Sequence, residues 1–409
     1  MKTMKLTMIT SALLAHSVAF ANVTAITNAT IHTATDAGVL EGATLVIENG
    51  KIKAINPDNV TADVTIDASG KVITPGFIGS MNQLGLVEVG AVAASRDAGD
   101  DDAGVDFDAS TAFNPRSSLI AYARKGGVTQ NFVAPWGGKS EFAGLGFVVD
   151  LSGEFNSVTD KQTALIIHLG AKSKGSRAKA LDNVVKKLEA QQEKLAKKDK
   201  KDEGKPSSEE QVLTQVLAGD MPVIATLSRA SDILEAIKLK EKFGLDLIIQ
   251  GADDAVVVAE QLAEAKVPVI LSAVSNLPAS FDSMHASLDN AGKLEKAGVN
   301  VILSIGGDGS HNVYQLRFDA GIAVANGMSH DGALKAVTAN PAKALGIDGG
   351  VIEAGKRADI VMWSADPFEF STTIDKIWIN GEEVSTESRH DKLRDRYTTD
   401  SDMPRAYTK

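Results

Sequence analysis

Residues 221–251 read "MPVIATLSRASDILEAIKLKEKFGLDLIIQG". A short apolar run, "MPVIATLS", passes into an amphipathic helical pattern, "ASDILEAIKLKEKFG", and then into a second apolar run, "LDLIIQG". Strand, helix and strand in that order make a βα unit. The style continues through "DAVVVAEQLAEAK", "VPVILSAV" and "VNVILSIGG". Right-handed repetition of such units gives a parallel sheet or a barrel. The segment 73–345 suits a (β/α)8 barrel of roughly 250 residues. A doubly wound sheet is the competing architecture, but no Gly-rich phosphate turn opens a helix after any strand.

The ends of the chain read differently. "ATLVIENGKIKAI" alternates, turns at Asn49-Gly50 and resumes, which is a hairpin signal. "VTIDASGKVITPGF" repeats the pattern around Ser69-Gly70, and "IDKIWINGEEV" turns at Asn380-Gly381. The fold class is therefore α/β, with β-rich pieces at both ends of a TIM-type barrel. The expected divisions are 1–21, 22–72, 73–345, 346–388 and a charged tail, 389–409.

With 409 residues, one large domain and a smaller one are expected. The net charge of −11 and an aromatic content of 5% argue against a nucleic-acid surface. There are no cysteines, which excludes disulfides, thiolate metal sites and a cysteine nucleophile. Residues 1–21, "MKTMKLTMITSALLAHSVAFA", have a basic start, a short apolar run and an A-x-A end. That is the pattern of a cleaved signal peptide, so a periplasmic or secreted bacterial protein without a membrane anchor is expected. The charged run 186–211 reads as an exposed helix leading into a solvated loop. The Asp-rich run 95–110 lacks the glutamate that closes an EF-hand loop and reads as a polar loop near the barrel mouth.

Several blocks together resemble the amidohydrolase superfamily, in particular its exported imidazolonepropionase-like branch. They are "DASGKVITPGFI", "NPRSSLIAYARKGGVT", "ALKAVTANPAKALGI", "GVIEAGKRADIVMWSADPFE" and "IDKIWINGEEV". The resemblance implies a TIM-type barrel with a small β-sandwich assembled from the N- and C-terminal segments. It also implies hydrolysis of C–N bonds, such as those of cyclic amides, by water activated on one or two divalent metals of the zinc type. Ligands in such a fold come from the C-terminal ends of barrel strands.

The implied ligand set is mostly replaced. The family's first strand ends in P-G-x-I-D-x-H-x-H; here "TPGFIGSMNQLG" puts Gly79 at the Asp and Met81 and Gln83 at the two histidines. Thioether and amide are poor substitutes for imidazole at a borderline ion. Asp150, in "GLGFVVDLSG", is aligned with the bridging lysine as a possible ligand. Thr226 stands at the next histidine with Arg229 nearby, and Gln250, Asp253 and Asp254 are the polar candidates after "LDLII". Asp308 matches the family's ligand and general base. His311 follows three residues later, so Asp308 and His311 form the expected acid–base pair. Asn82, Gln83, His168, Thr226, Arg229, Gln250 and Asn312 complete the expected substrate pocket. His32, His285 and His330 read as surface of loops or helices. "GDGSHN" does not match the G-x-S-x-G nucleophile elbow.

Two readings of function stay open. One is a C–N hydrolase with an altered metal site. The other is an inactive homologue that binds a ligand in its mouth or partners an active paralogue. A homo-oligomer is compatible with both.

Overall fold

Strand alternation at the start of the chain produces β1 (Thr24–His32), β2 (Val39–Glu48), β3 (Lys51–Ile55), β4 (Val64–Asp67) and β5 (Val72–Pro75). The β2–β3 turn is Asn49-Gly50, with φ of 53° and 77°. Both lie in the left-handed region that a two-residue type I′ hairpin requires. This computed structural model describes residues 23–171, 176–197, 205–306 and 309–399. The expected signal peptide and Asp308 lie outside the described residues.

A second sheet follows: β6 (Phe77–Asn82), β7 (Val128–Val133), β8 (Phe142–Asp150), β9 (Val158–His168), β10 (Val223–Leu227), β11 (Leu247–Gly251), β12 (Val269–Leu271) and β13 (Val301–Leu303). These eight strands neighbour one another in chain order. The circle nearly closes where Ser304 Oγ donates to the Ser80 carbonyl from β13 to β6. Alternate residues face inward. Ile166, Ile224, Ile248, Ile270 and Ile302 form one buried layer, while Val223, Ala225 and Leu227 join the outer core. The result is a packed barrel of the TIM type.

One strand departs from the βα reading. β8 pairs antiparallel with both β7 and β9, whereas the other five pairings are parallel. Only residues 134–141 and 151–157 connect it to its neighbours. A parallel crossover needs a dozen or more residues, so these short links force the strand to reverse.

The helices are α1 (Ser118–Arg124), α2 (Arg177–Ala196), α3 (Ser208–Ala218), α4 (Ala230–Phe243), α5 (Ala259–Glu264), α6 (Asn290–Lys296), α7 (Leu316–Ala325), α8 (His330–Ala336) and α9 (Ala339–Leu345). α2 occupies much of the charged run and buries only Ala180, Val184, Leu188 and Gln191 along one stripe. Ser207 opens α3 with a capping box through Glu210. The "ANPAKAL" block explains itself at α9. Asn340 Nδ2 donates to the Val301 carbonyl at 2.8 Å, and Ala342, Leu345 and Ile347 plug the barrel interior below the isoleucine layer.

β14 (Ile360–Trp363), β15 (Ile374–Ile379) and β16 (Glu382–Glu383) return to the first sheet, β14 pairing antiparallel with β5. The sheet runs β16-β15-β14-β5-β1-β2-β3, with β4 also on β1. It curls until Lys51 on β3 bridges Arg357 just before β14. Ile52 and Trp378, from distant strands of the path, thereby share one core. The sandwich is thus built from both ends of the chain. The tail carries α10 (Arg389–Thr398), tied to the barrel by Lys125 and Asp391 at 2.7 Å. No helix among the described residues is long and apolar enough to cross a membrane.

Candidate functional site at the barrel mouth

Strand direction places the mouth at the C-terminal ends of β6, β7 and β9 to β13. Thr226 lies in register with His168 on one side and Gln250 on the other. Each is two residues beyond an inward isoleucine, so all three face the barrel axis above the apolar layer. Ser272 and Ser304 hold the same position after Ile270 and Ile302, and Ser80 after Ile78. The inward rim is therefore a set of hydroxyls and amides with one imidazole, His168, whose Nε2 is 3.3 Å from the Trp136 carbonyl. Ser80, Ser272 and Ser304 were missed by reading the sequence. The signal was available, since each follows an apolar strand residue by two.

The first strand bends at the site. The β6–β7 register slips between Gly79 and Asn82, and Met81 has φ of 55°. A non-glycine residue there marks a bulge that re-aims its neighbours. Met81 thereby enters the apolar interior layer. Gln83 is buried; its Nε2 donates to the Ala134 carbonyl at 3.0 Å, and its backbone N–H donates to Ser310 Oγ at 3.1 Å. Gln83 Oε1 and Ser80 Oγ are buried with no hydrogen-bond partner among the described residues.

Two expected pocket residues, Asn82 and Arg229, and one expected metal ligand, Asp150, are placed elsewhere. Asn82 is fully buried and locked to Asn131, each amide donating to the other's oxygen at 2.8 and 3.1 Å. Its oxygen also accepts from Leu84 N–H, so it presents nothing to a substrate. Asp150 ends the one reversed strand and emerges at the opposite end of the barrel. There it pairs with Arg357 at 2.9 Å and accepts from Ser152, which corrects its assignment as a metal ligand. Arg229 is an exposed residue at the start of α4. His311 and Asn312 lie in a short 3-10 helix, Gly309–Gln315, whose Ser310 is held by Gln83. Asp308, the expected base, lies outside the described residues.

Gly79, which the resemblance set against an acid, sits where the structure leaves no room for a side chain. A side chain there would meet Asn131 Oδ1 at 2.2 Å. The Asn82–Asn131 pair fills the space. Gly79→Asp is expected to lower stability by roughly 1–3 kcal/mol through overpacking. An unchanged urea midpoint would show that the amide pair moves aside.

A second polar group flanks the mouth. Asp254 Oδ1 lies 2.8 Å from His285 Nδ1, in the loop after β12. Next to it, burial first and the Asp254 charge after it hold Asp253 above the usual carboxylate range, against a hydrogen bond from Ser228. His285 is thus paired, not a bare surface residue. His330 pairs with Asp366 at 2.9 Å, and His32 ends β1 with its ring 5.7 Å from that of His330.

The donor set does not fit the metal centre that the resemblance implied. Among the described residues no three His, Asp or Glu side chains come together to share a cation. Apart from the single imidazole of His168, the described rim offers hydroxyl and amide oxygens, which hold zinc poorly.

The sequence model of the amidohydrolase family matches residues 9–384. No curated protein matches the chain. An amidohydrolase from Thermotoga maritima MSB8 is similar in structure, at 27% identity and a TM-score of 0.80, over 88% of this chain and 99% of that one. Molinate hydrolase is similar at 18% identity and a TM-score of 0.56, over 90% and 95%. An adenosine deaminase from Xanthomonas campestris with bound zinc is similar at 18% identity and a TM-score of 0.54, over 92% and 99%. The last two likenesses speak for the fold alone.

Proposed function

Since this chain belongs to the amidohydrolase family, we propose that it uses the family's barrel mouth to bind a small neutral amide-bearing molecule, without the family's binuclear metal centre. The observation that carries this reading is the rim's composition: Ser80, Thr226, Gln250 and Ser304 face one another with His168 as the single imidazole, where a binuclear centre would need several charged or imidazole ligands. Buried Ser80 Oγ and Gln83 Oε1, without partners among the described residues, supply an unspent donor and acceptor. An amide ligand presents the complementary pair. Placement in the exported imidazolonepropionase-like branch, and a periplasmic location, belong to the same proposal.

A second reading keeps catalysis: a C–N hydrolase with an altered metal site that uses Asp308 and His311. One observation favours it. The short helix carrying His311 is fastened to the first barrel strand through Ser310 and Gln83, so that segment is held beside the mouth.

Metal analysis separates the two. Protein dialysed against zinc, manganese and iron is expected to retain none of them stoichiometrically, with an unchanged Tm. Stoichiometric metal that survives dialysis would sink the binding reading. Titration with cyclic amides such as hydantoin is expected to show saturable binding without turnover. Gln250→Leu should weaken that binding by about tenfold, the effect of one lost hydrogen bond left unreplaced.

A further inference from the structure

A cleft of about 360 Å³ opens on the flank of the barrel, away from the mouth. It is bounded by α1, the β8–β9 turn and the segment leading into α10. At its base Arg124 is only 9% exposed. Nε of Arg124 donates to the Ser385 carbonyl at 2.9 Å, and Nη1 donates to the carbonyls of Leu151 and Ser152 at 2.6 and 3.0 Å. These three acceptors are neutral. They orient the guanidinium and leave its charge uncompensated, and burial pulls Arg124 below the ordinary guanidinium value. No described residue accepts from Nη2.

The opposite wall adds Arg389 and Lys392 from the first turn of α10. Nearby acids do not balance the group. Glu387 is 3.5 Å from Lys392 and Glu154 is 3.7 Å from Arg116, whereas Arg124 and Arg389 have no carboxylate partner among the described residues. Such a cationic concavity stands out on a chain of net charge −11. A buried, unpaired guanidinium is unfavourable unless something anionic meets it. A guanidinium fixed by carbonyls is also preorganised to grip a planar or tetrahedral oxyanion.

We propose that this cleft binds a small molecule through a carboxylate or phosphate group, gripped by Arg124 Nη2 and Arg389. Ile120 and Ala121 give it an apolar wall suited to the rest of an organic anion. The site is independent of the barrel mouth.

The test titrates inorganic phosphate and, separately, succinate into the full chain, with NaCl holding ionic strength constant. At least one is expected to raise Tm saturably by roughly 2–4 °C, and the one that saturates identifies the anion class. Arg389→Ala/Lys392→Ala changes two exposed side chains. It should keep the ligand-free Tm and weaken binding at least about tenfold. Because Arg124 also holds three carbonyls, that exposed pair is the deciding variant; Arg124→Lys should weaken binding as well. No saturating rise with either anion, or wild-type affinity in the double variant, would overturn the proposal.

Discussion

Replacing Arg357 by methionine is expected to lower stability by roughly 3–5 kcal/mol at pH 7, the loss typical of breaking a buried ion pair from one side. Arg357 joins the two parts of the molecule. Its Nη2 pairs with Asp150 at the end of β8 at 2.9 Å, and its Nε pairs with Asp359 just before β14 at 2.8 Å. Asp359 is buried and also accepts the Asn380 N–H. Removing the cation strands two carboxylates together. The loss should shrink on acidification. Burial already pushes Asp359 up to about 6, despite the opposing Arg357. Without the arginine its native value rises further above the unfolded one. A native pKa above the unfolded value means the folded state binds the proton more tightly. Stability therefore returns as pH falls through the native pKa, and the return is complete below the unfolded value of 3.8. Urea unfolding at pH 7.5 and pH 5 measures both effects. Equal midpoints for variant and parent at pH 7.5 would refute the role given to Arg357.

Asp319→Asn is expected to do the opposite and stabilise the protein above neutrality. Asp319 is 6% exposed in the first turn of α7, and burial pushes its carboxyl up to about 6. Against an unfolded value of 3.8, the shift corresponds to up to about 3 kcal/mol of destabilisation once the group is ionised in both states. That penalty is present above pH 6, fades as pH falls, and is gone below the unfolded value. The amide has the same shape and no charge. The gain should therefore be largest at pH 7–8 and vanish near pH 4. Thermal unfolding across that range reads it directly; a gain that is flat with pH would mean Asp319 is not the titrating group.

The neighbouring Arg317 illustrates how much of the C-terminal block is packing. Its guanidinium donates to the carbonyls of Pro367, Glu369 and Thr372 and lies over the rings of Phe318 and Trp363. The loop that follows β14, from Pro367 to Thr372, presents those three backbone carbonyls to one buried cation.

The strand–helix periodicity of 221–251 and its repeats was enough to identify the barrel, because local burial patterns dictate both element types. Asn49-Gly50 and the matching β-rich ends likewise announced a sheet drawn from both termini. The residues that the resemblance set against the first-strand ligands, Met81 and Gln83, could be named from the sequence alone, since residue identity decides ligand chemistry. The direction of β8 was not, although its short connections carried the clue. A strand's direction is settled by its pairing partners, and that reversal moved Asp150 from the expected mouth to an ion pair with Arg357. Nor could spacing along the chain show that Asn82 is taken by Asn131, or that Ser80, Thr226, Gln250 and Ser304 share one rim. Residues 224 positions apart, such as Ser80 and Ser304, become neighbours only when the barrel closes, because closure is a property of all eight strands together.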